Sequence, residues 1–283
     1  MTDIQEVAIR INAMREQEAR VQRCQNYFAF CVSSDVDMSC RKAMVDWCFQ
    51  VADTLQFNHE TVGLAMSFLD RYLSSRRGRS HEALACRKKF QLASITCFYT
   101  AVKTYEPVEI GVNLLVKMCR GFYSEADIIS MESDILFALD WRVSAPTPMD
   151  FVRQFAELLP AKSSSFINQN AECYMDKVTK DMNSSFFRPS VIGAGCMIST
   201  LSQAHHFHSD ELLSFMDRLA QIVDLNDVTE FHSQLNVDTT ICLPKSIRKI
   251  FDVSTQSRRC SITRASTSSP VSPVCVSHAS RAA

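Results

Sequence analysis

The chain has 283 residues, a formal net charge of −1, and 46% hydrophobic against 22% charged residues. That length fits one large domain or two of ordinary size, and the near-neutral charge argues against a nucleic-acid binder, which normally carries a basic excess or stripe. Only 6 Gly and 8 Pro occur, and alternating strand patterns with turn dipeptides are scarce, so helices joined by short loops are expected.

The N-terminus, "MTDIQEVAIRIN", has no basic leader and no long apolar run, so no secretory signal is expected. No stretch approaches the roughly 18 apolar residues of a membrane span. Residues 3–22 carry Ile4, Val7, Ile11, Met14 and Val21 among charges, which reads as an amphipathic entry helix. A helix over about 37–55 follows, with Asp37 as N-cap. Within it, "CRKAMVDWCFQV" spaces Cys40, Ala43, Met44 and Trp47 as one helical stripe. Val45, Cys48, Phe49 and Val51 add apolar positions off that stripe. One side is expected to face the core and the other to be free for a partner.

Further helices are expected through "HETVGLAMSFLDRYLSS", "CRKKFQLASITCFYTAVKTYE" and "EIGVNLLVKMC". The next, "SEADIISMESDILFALDW", opens with Ser124 and Asp127 in capping-box spacing. "SAPTPMD" then breaks the pattern, because Pro146 and Pro148 cannot sit inside a continuous helix. Thr147 and Pro148 form an N-cap and N1 pair. The second half repeats the rhythm with five helices, from "PMDFVRQFAELL" to "DVTEFHSQL". After Asp252 the chain is rich in Ser and Thr and lacks acidic residues, so it is expected to be disordered. The expected fold is all-α: residues 1–145 hold the entry helix and a first five-helix unit, 146–252 a second, and 253–283 a tail.

Catalytic signatures are missing. Gly193 and Gly195 lie inside an apolar helix with no preceding strand, so no phosphate loop is formed, and neither a nucleophile elbow nor H-E-x-x-H occurs. The 12 Cys are scattered without a C-x-x-C pair and read as reduced, small apolar residues of a cytosolic or nuclear protein. His205, His206 and His208 form a cluster between two helices, read as a solvated loop in preference to a metal site. The pattern is that of a binding protein, not an enzyme, with no cofactor or metal expected.

Five segments in order, "CRKAMVDW", "LDRYLSS", "AVKTYE", "SMESDILFALDW" and "APTPMDF", resemble the N-terminal box of cyclins and its exit. The resemblance covers about residues 25–250. "YFAFCV", "LDWRVSAPTPMDFV" and "RPSVIGAG" lean toward the D-type or G1 group, while the Val-Asp-Trp of the first motif is closer to mitotic cyclins. The resemblance implies two tandem cyclin folds and a non-catalytic subunit that activates a cyclin-dependent protein kinase, found in nucleus and cytoplasm, with no nucleic-acid or membrane partner. By the same resemblance Lys103 and Glu132, with Glu106 beside Lys103, contact the kinase, and Arg41 and Asp70 form a structural ion pair. A docking patch for Arg-x-Leu peptides is implied at Cys40, Ala43, Met44, Trp47, Gln50, Phe90 and Gln91. Cys40 stands where a larger Met is common. Gln50 stands where a Glu usually meets the peptide's basic residue, which removes a charge-assisted hydrogen bond. Ser269 and Ser272, each followed by Pro, and Ser261 after Arg258-Arg259-Cys260 are candidate phosphorylation sites. The competing reading is a cyclin-fold transcription regulator that contacts DNA or the transcription machinery, and the net charge and lack of a zinc ribbon count against it.

Overall fold

The structure, a computed structural model, describes residues 4–30, 35–108, 110–159, 164–203 and 209–235. Among these residues are twelve α-helices and no strand. Helix α1 (Ile4–Ala19) precedes a first bundle of α2 (Met38–Leu55), α3 (His59–Ser75), α4 (Ser80–Ala85), α5 (Arg87–Tyr105), α6 (Val112–Met118) and α7 (Glu125–Ala138). The second bundle is α8 (Pro148–Ala156), α9 (Ser164–Lys180), α10 (Pro189–Gln203), α11 (Ser209–Ile222) and α12 (Leu225–Gln234).

Local chemistry sets the helix starts. The Asp37 carboxylate accepts the Cys40 N–H at 3.1 Å and opens α2. Asn58 caps α3 through the Glu60 N–H at 2.9 Å. Ser124 with Asp127, and Thr147 with Asp150, form complete capping boxes on α7 and α8. Helix α4 is a six-residue turn without a side-chain cap, and the sequence pattern had no signal for it. Helix α7 stops at Ala138 and not at Trp141, because Asp140 and Trp141 take left-handed φ values of 52° and 59°.

Helix α3 is apolar almost all round, as a central helix must be. Its Val62, Phe68, Leu69 and Tyr72 are fully buried against Val45 of α2, Phe98 of α5 and Ile135 of α7. In the second bundle, residues Val191 to Leu201 of α10 are all buried. A Cβ at Gly193 would lie 2.8 Å from the Pro148 carbonyl and 2.9 Å from Phe151 Cβ, so α8 and α10 touch at glycine width.

Helix α1 precedes the first bundle in sequence but packs on the second. Val7 and Ile11 are fully buried in the core that holds Phe151 and Phe155. Arg10 pairs with Glu157 at 2.5 Å. The buried Glu18 accepts both the Ser190 N–H, at 2.7 Å, and its hydroxyl, at 2.8 Å, and so caps α10 from another element. Polar contacts join the bundles. Arg41 donates to the Thr179 carbonyl at 3.3 Å, Arg153 of α8 binds Glu60 of α3, and His59 meets Asp176 of α9 at 2.8 Å. A cavity of about 600 Å³ lies between the two bundles.

Candidate partner-binding surfaces

Arg41 and Asp70 are brought together and sealed off. The guanidinium donates through Nε at 3.0 Å and Nη2 at 2.8 Å to the two carboxylate oxygens, and both side chains are at most 3% exposed. Tyr27, from a 3-10 turn over Tyr27–Phe30, adds its hydroxyl to Asp70 at 2.8 Å. Burial alone would push the Arg41 guanidinium down, but the adjacent Asp70 more than offsets this and the net direction is up. Tyr27 is pushed well up, first by burial and then by the Asp70 charge. The cluster is a fixed structural joint of α2, α3 and α9.

Lys103, near the end of α5, and Glu132, in the middle of α7, form a second pair, at the surface. Lys103 Nζ donates to both Glu132 oxygens at 2.9 and 3.0 Å, and Thr100 donates to Oε1 at 3.3 Å. The ammonium lies 5.0 Å from the Tyr99 ring centroid. The Glu132 side chain is 13% exposed and that of Lys103 41%, so the carboxylate is held from below and the ammonium is presented to solvent. Glu106 is not part of this cluster. Its carboxylate accepts the Asn58 N–H at 2.9 Å and the Thr61 hydroxyl, at the start of α3.

Apolar side chains flank Glu132 on α7, and others stand exposed elsewhere on the first bundle. Ile129 stands three residues before Glu132 and Leu136 four after it, on one helix face. Ile129 is exposed, as are Phe122, Phe137 and Trp141, the last three by 60–70%. Trp141 holds its indole out from a left-handed backbone that disfavours bulky residues. In the sequence Ile129 and Leu136 keep helical period with Ile128, Ile135 and Leu139; the structure buries the last three and leaves Ile129 exposed.

The seven docking-patch residues divide. Met44 and Phe90, 7% and 1% exposed, belong to the first core. Ala43, Gln50 and Gln91 are exposed, and Cys40 and Trp47 are half-buried. Trp47 packs edge-on against Phe98 at 5.9 Å, and Gln91 accepts the Tyr123 hydroxyl at 2.9 Å. Of the seven residues expected to form a docking patch, only Cys40, Ala43, Trp47, Gln50 and Gln91 thus reach the surface.

The eight described cysteines are all unpaired. Among the described residues no group of His, Cys, Asp and Glu is placed to hold a metal, and no helix is long and apolar enough to cross a membrane. His205, His206 and His208, and Ser261, Ser269 and Ser272, lie outside the described residues.

The two helical bundles share the fold of a solved cyclin. A viral cyclin structure from herpesvirus saimiri superposes with a TM-score of 0.64 at 19% identity, covering 81% of this chain and 97% of the viral one. Residues 10–144 match the cyclin N-terminal domain. The G1/S-specific cyclin-D1 of Danio rerio is 26% identical over 206 residues, 72% of this chain and 68% of that protein. The Homo sapiens cyclin-D1 is 24% identical over 207 residues, with the same two shares of 72% and 68%. The G2/mitotic-specific cyclin-B3 of Gallus gallus is 28% identical over 169 residues, 60% of this chain and 40% of that protein. The chain is similar to cyclins in sequence over its first bundle and in fold over both.

Proposed function

We propose that the protein is the non-catalytic regulatory subunit of a cyclin-dependent Ser/Thr protein kinase, acting at G1 or the G1/S boundary, in nucleus and cytoplasm. The observation that carries this reading is the Lys103–Glu132 pair, preset at 2.9 Å one helical turn from the exposed Ile129, in a chain whose relatives include cyclin-D1. A kinase is efficient only when the helix bearing the Glu of its Lys–Glu ion pair is in place and its activation loop is open. The cyclin supplies shape and differential affinity, not chemistry. Moving a kinase from mostly inactive to mostly active, 1:99 to 99:1, takes about 5.5 kcal/mol of preference for the active state. One exposed ion pair supplies at most ~1 kcal/mol. The apolar side chains must supply the rest by becoming buried on binding.

Two accessory roles follow from the same reading. The surface of Cys40, Ala43, Trp47, Gln50 and Gln91 takes short Arg-x-Leu peptides from substrates or inhibitors. Phosphorylation of Ser269 and Ser272 adds about −1.5 to −2 charge per site to a tail whose only charged side chains after Asp252 are Arg and His, and marks the chain for turnover or nuclear export, with Ser261 a further site directed by basic residues.

The kinase-binding reading is tested by co-purifying cyclin-dependent kinases with wild-type, Lys103→Ala and Glu132→Ala proteins of unchanged helical circular dichroism. Both variants are expected to recover less kinase, and undiminished recovery by both overturns the assignment of the pair.

A further inference from the structure

The contact between the two bundles contains one side chain whose geometry requires a particular protonation state. His59 is the first residue of α3, and its ring lies between two carboxylates. Nε2 is 2.8 Å from Asp53 Oδ1, in the last turn of α2, and Nδ1 is 2.8 Å from Asp176 Oδ2, on α9. A neutral imidazole has one N–H and one lone pair. It can donate to only one of the two, and it would then turn its lone pair toward the other carboxylate at the same short distance. Only the imidazolium donates to both.

The surroundings favour that cation. From α2, Asp53 faces it, and the Phe49 ring meets it edge-on at 5.0 Å. From α3, the adjacent Glu60 is engaged by Arg153 and Tyr105. From the end of α5, Glu106 is engaged by Asn58 and Thr61. From α9, besides Asp176, Lys180 lies over the Phe49 ring at 5.0 Å, and Glu172 opens on the cavity that His59 and Asp176 also line. Burial pushes the imidazole down, but the hydrogen bonds and charges of Asp53 and Asp176 outweigh it, so the net direction is up. The side chain is 36% exposed, so protons reach it from solvent.

We infer that His59 is a proton-operated latch between the two bundles, closed when the ring is doubly protonated and bridges Asp53 to Asp176. The sign follows from the upward direction. The clamp is complete below the ordinary histidine range, near 6.5, and is lost as pH rises through the higher value of the folded protein. Above it the neutral ring keeps one carboxylate and releases the other, so α3 and α9 are tied less firmly. The latch concerns how the bundles are seated on each other and does not depend on the kinase reading.

The test uses the full chain. Nuclear magnetic resonance of the histidine side chains across pH gives the His59 midpoint, and amide hydrogen exchange gives protection factors along α9 and the first turn of α3. The expected result is a midpoint above the ordinary histidine value that falls in Asp176→Asn. Protection over Glu172–Lys180 is expected to be greater below the measured His59 midpoint than above it, and the difference should vanish in His59→Gln. A wild-type midpoint at or below the ordinary value overturns the proposal. So does a midpoint unmoved by Asp176→Asn, or a protection difference that survives His59→Gln. If His59→Gln does not fold, the same protection difference is read in Asp176→Asn, where its persistence is equally decisive.

Discussion

Asp70 accepts three side-chain hydrogen bonds, two from Arg41 and one from Tyr27, in a site closed to solvent. Removing one partner strands the other charge. Arg41→Ala or Asp70→Asn should each lower unfolding free energy by about 3–5 kcal/mol. The double replacement Arg41→Met/Asp70→Leu should lose less than the two single losses added together. Urea unfolding followed by circular dichroism checks this, and single losses under about 1 kcal/mol would mean a surface-like pair. Nearby, Met44 and Gln50 separate core from surface. Met44→Ala should cost about 2–5 kcal/mol because the side chain is buried. Gln50→Glu should change stability by no more than ~0.5 kcal/mol and should tighten binding of an Arg-x-Leu peptide by supplying a carboxylate. Fluorescence anisotropy with wild-type and Gln50→Glu proteins decides it, and equal affinities would remove Gln50 from the docking role.

At the level of elements, α10 shows what close packing demands. Gly193→Ala would place a Cβ within 2.9 Å of both the Pro148 carbonyl and Phe151, so α8 must move away. The expected cost is about 1–3 kcal/mol, read as a lowered melting temperature, and an unchanged melting temperature would show that α8 yields freely. On α12, burial pushes His232 down to about 4, against a small upward pull from the Gly195 backbone. The folded chain therefore holds this ring neutral. Its contribution is present above the ordinary histidine value and is lost as pH falls from about 6.5 toward 4. His232→Phe should flatten that acid limb of a stability-against-pH curve, the limb opposite in sign to the one set by His59.

Most of these elements were legible in the sequence because their signals are local. Asp37, Ser124 and the Thr147-Pro148 pair announce helix starts through their own backbone neighbours, and the 3.6-residue period of α3 and α7 identifies helices irrespective of the rest of the chain. What escaped depends on long-range packing. Glu106 looks like a companion of Lys103 in sequence, yet it turns to cap α3, which lies 45 residues away at Thr61. Met44 and Phe90 fall on a plausible surface stripe and are buried by neighbours that no local pattern names. Trp141 would continue a helix by period. Two left-handed residues end that helix and expose the indole.

On the scale of the whole molecule, each bundle has its own core, and α1 belongs by packing to the one farther along the chain. The Lys103–Glu132 pair and the exposed Ile129 sit on the first bundle alone, so the proposed selection of one kinase conformation would rest on that bundle. The tail sites lie outside the described residues. Ser269→Ala/Ser272→Ala protein should persist longer than wild type after protein synthesis is stopped, and identical decay and distribution would remove those sites from regulation. The most direct measurement is phosphorylation of a Ser-Pro peptide by purified cyclin-dependent kinases, each alone and with the full chain added in wild-type or Lys103→Glu/Glu132→Lys form. At least one kinase should be strongly activated by the wild type and much less by a folded charge-reversed protein. No activation of any kinase by the wild-type chain would contradict the proposed function.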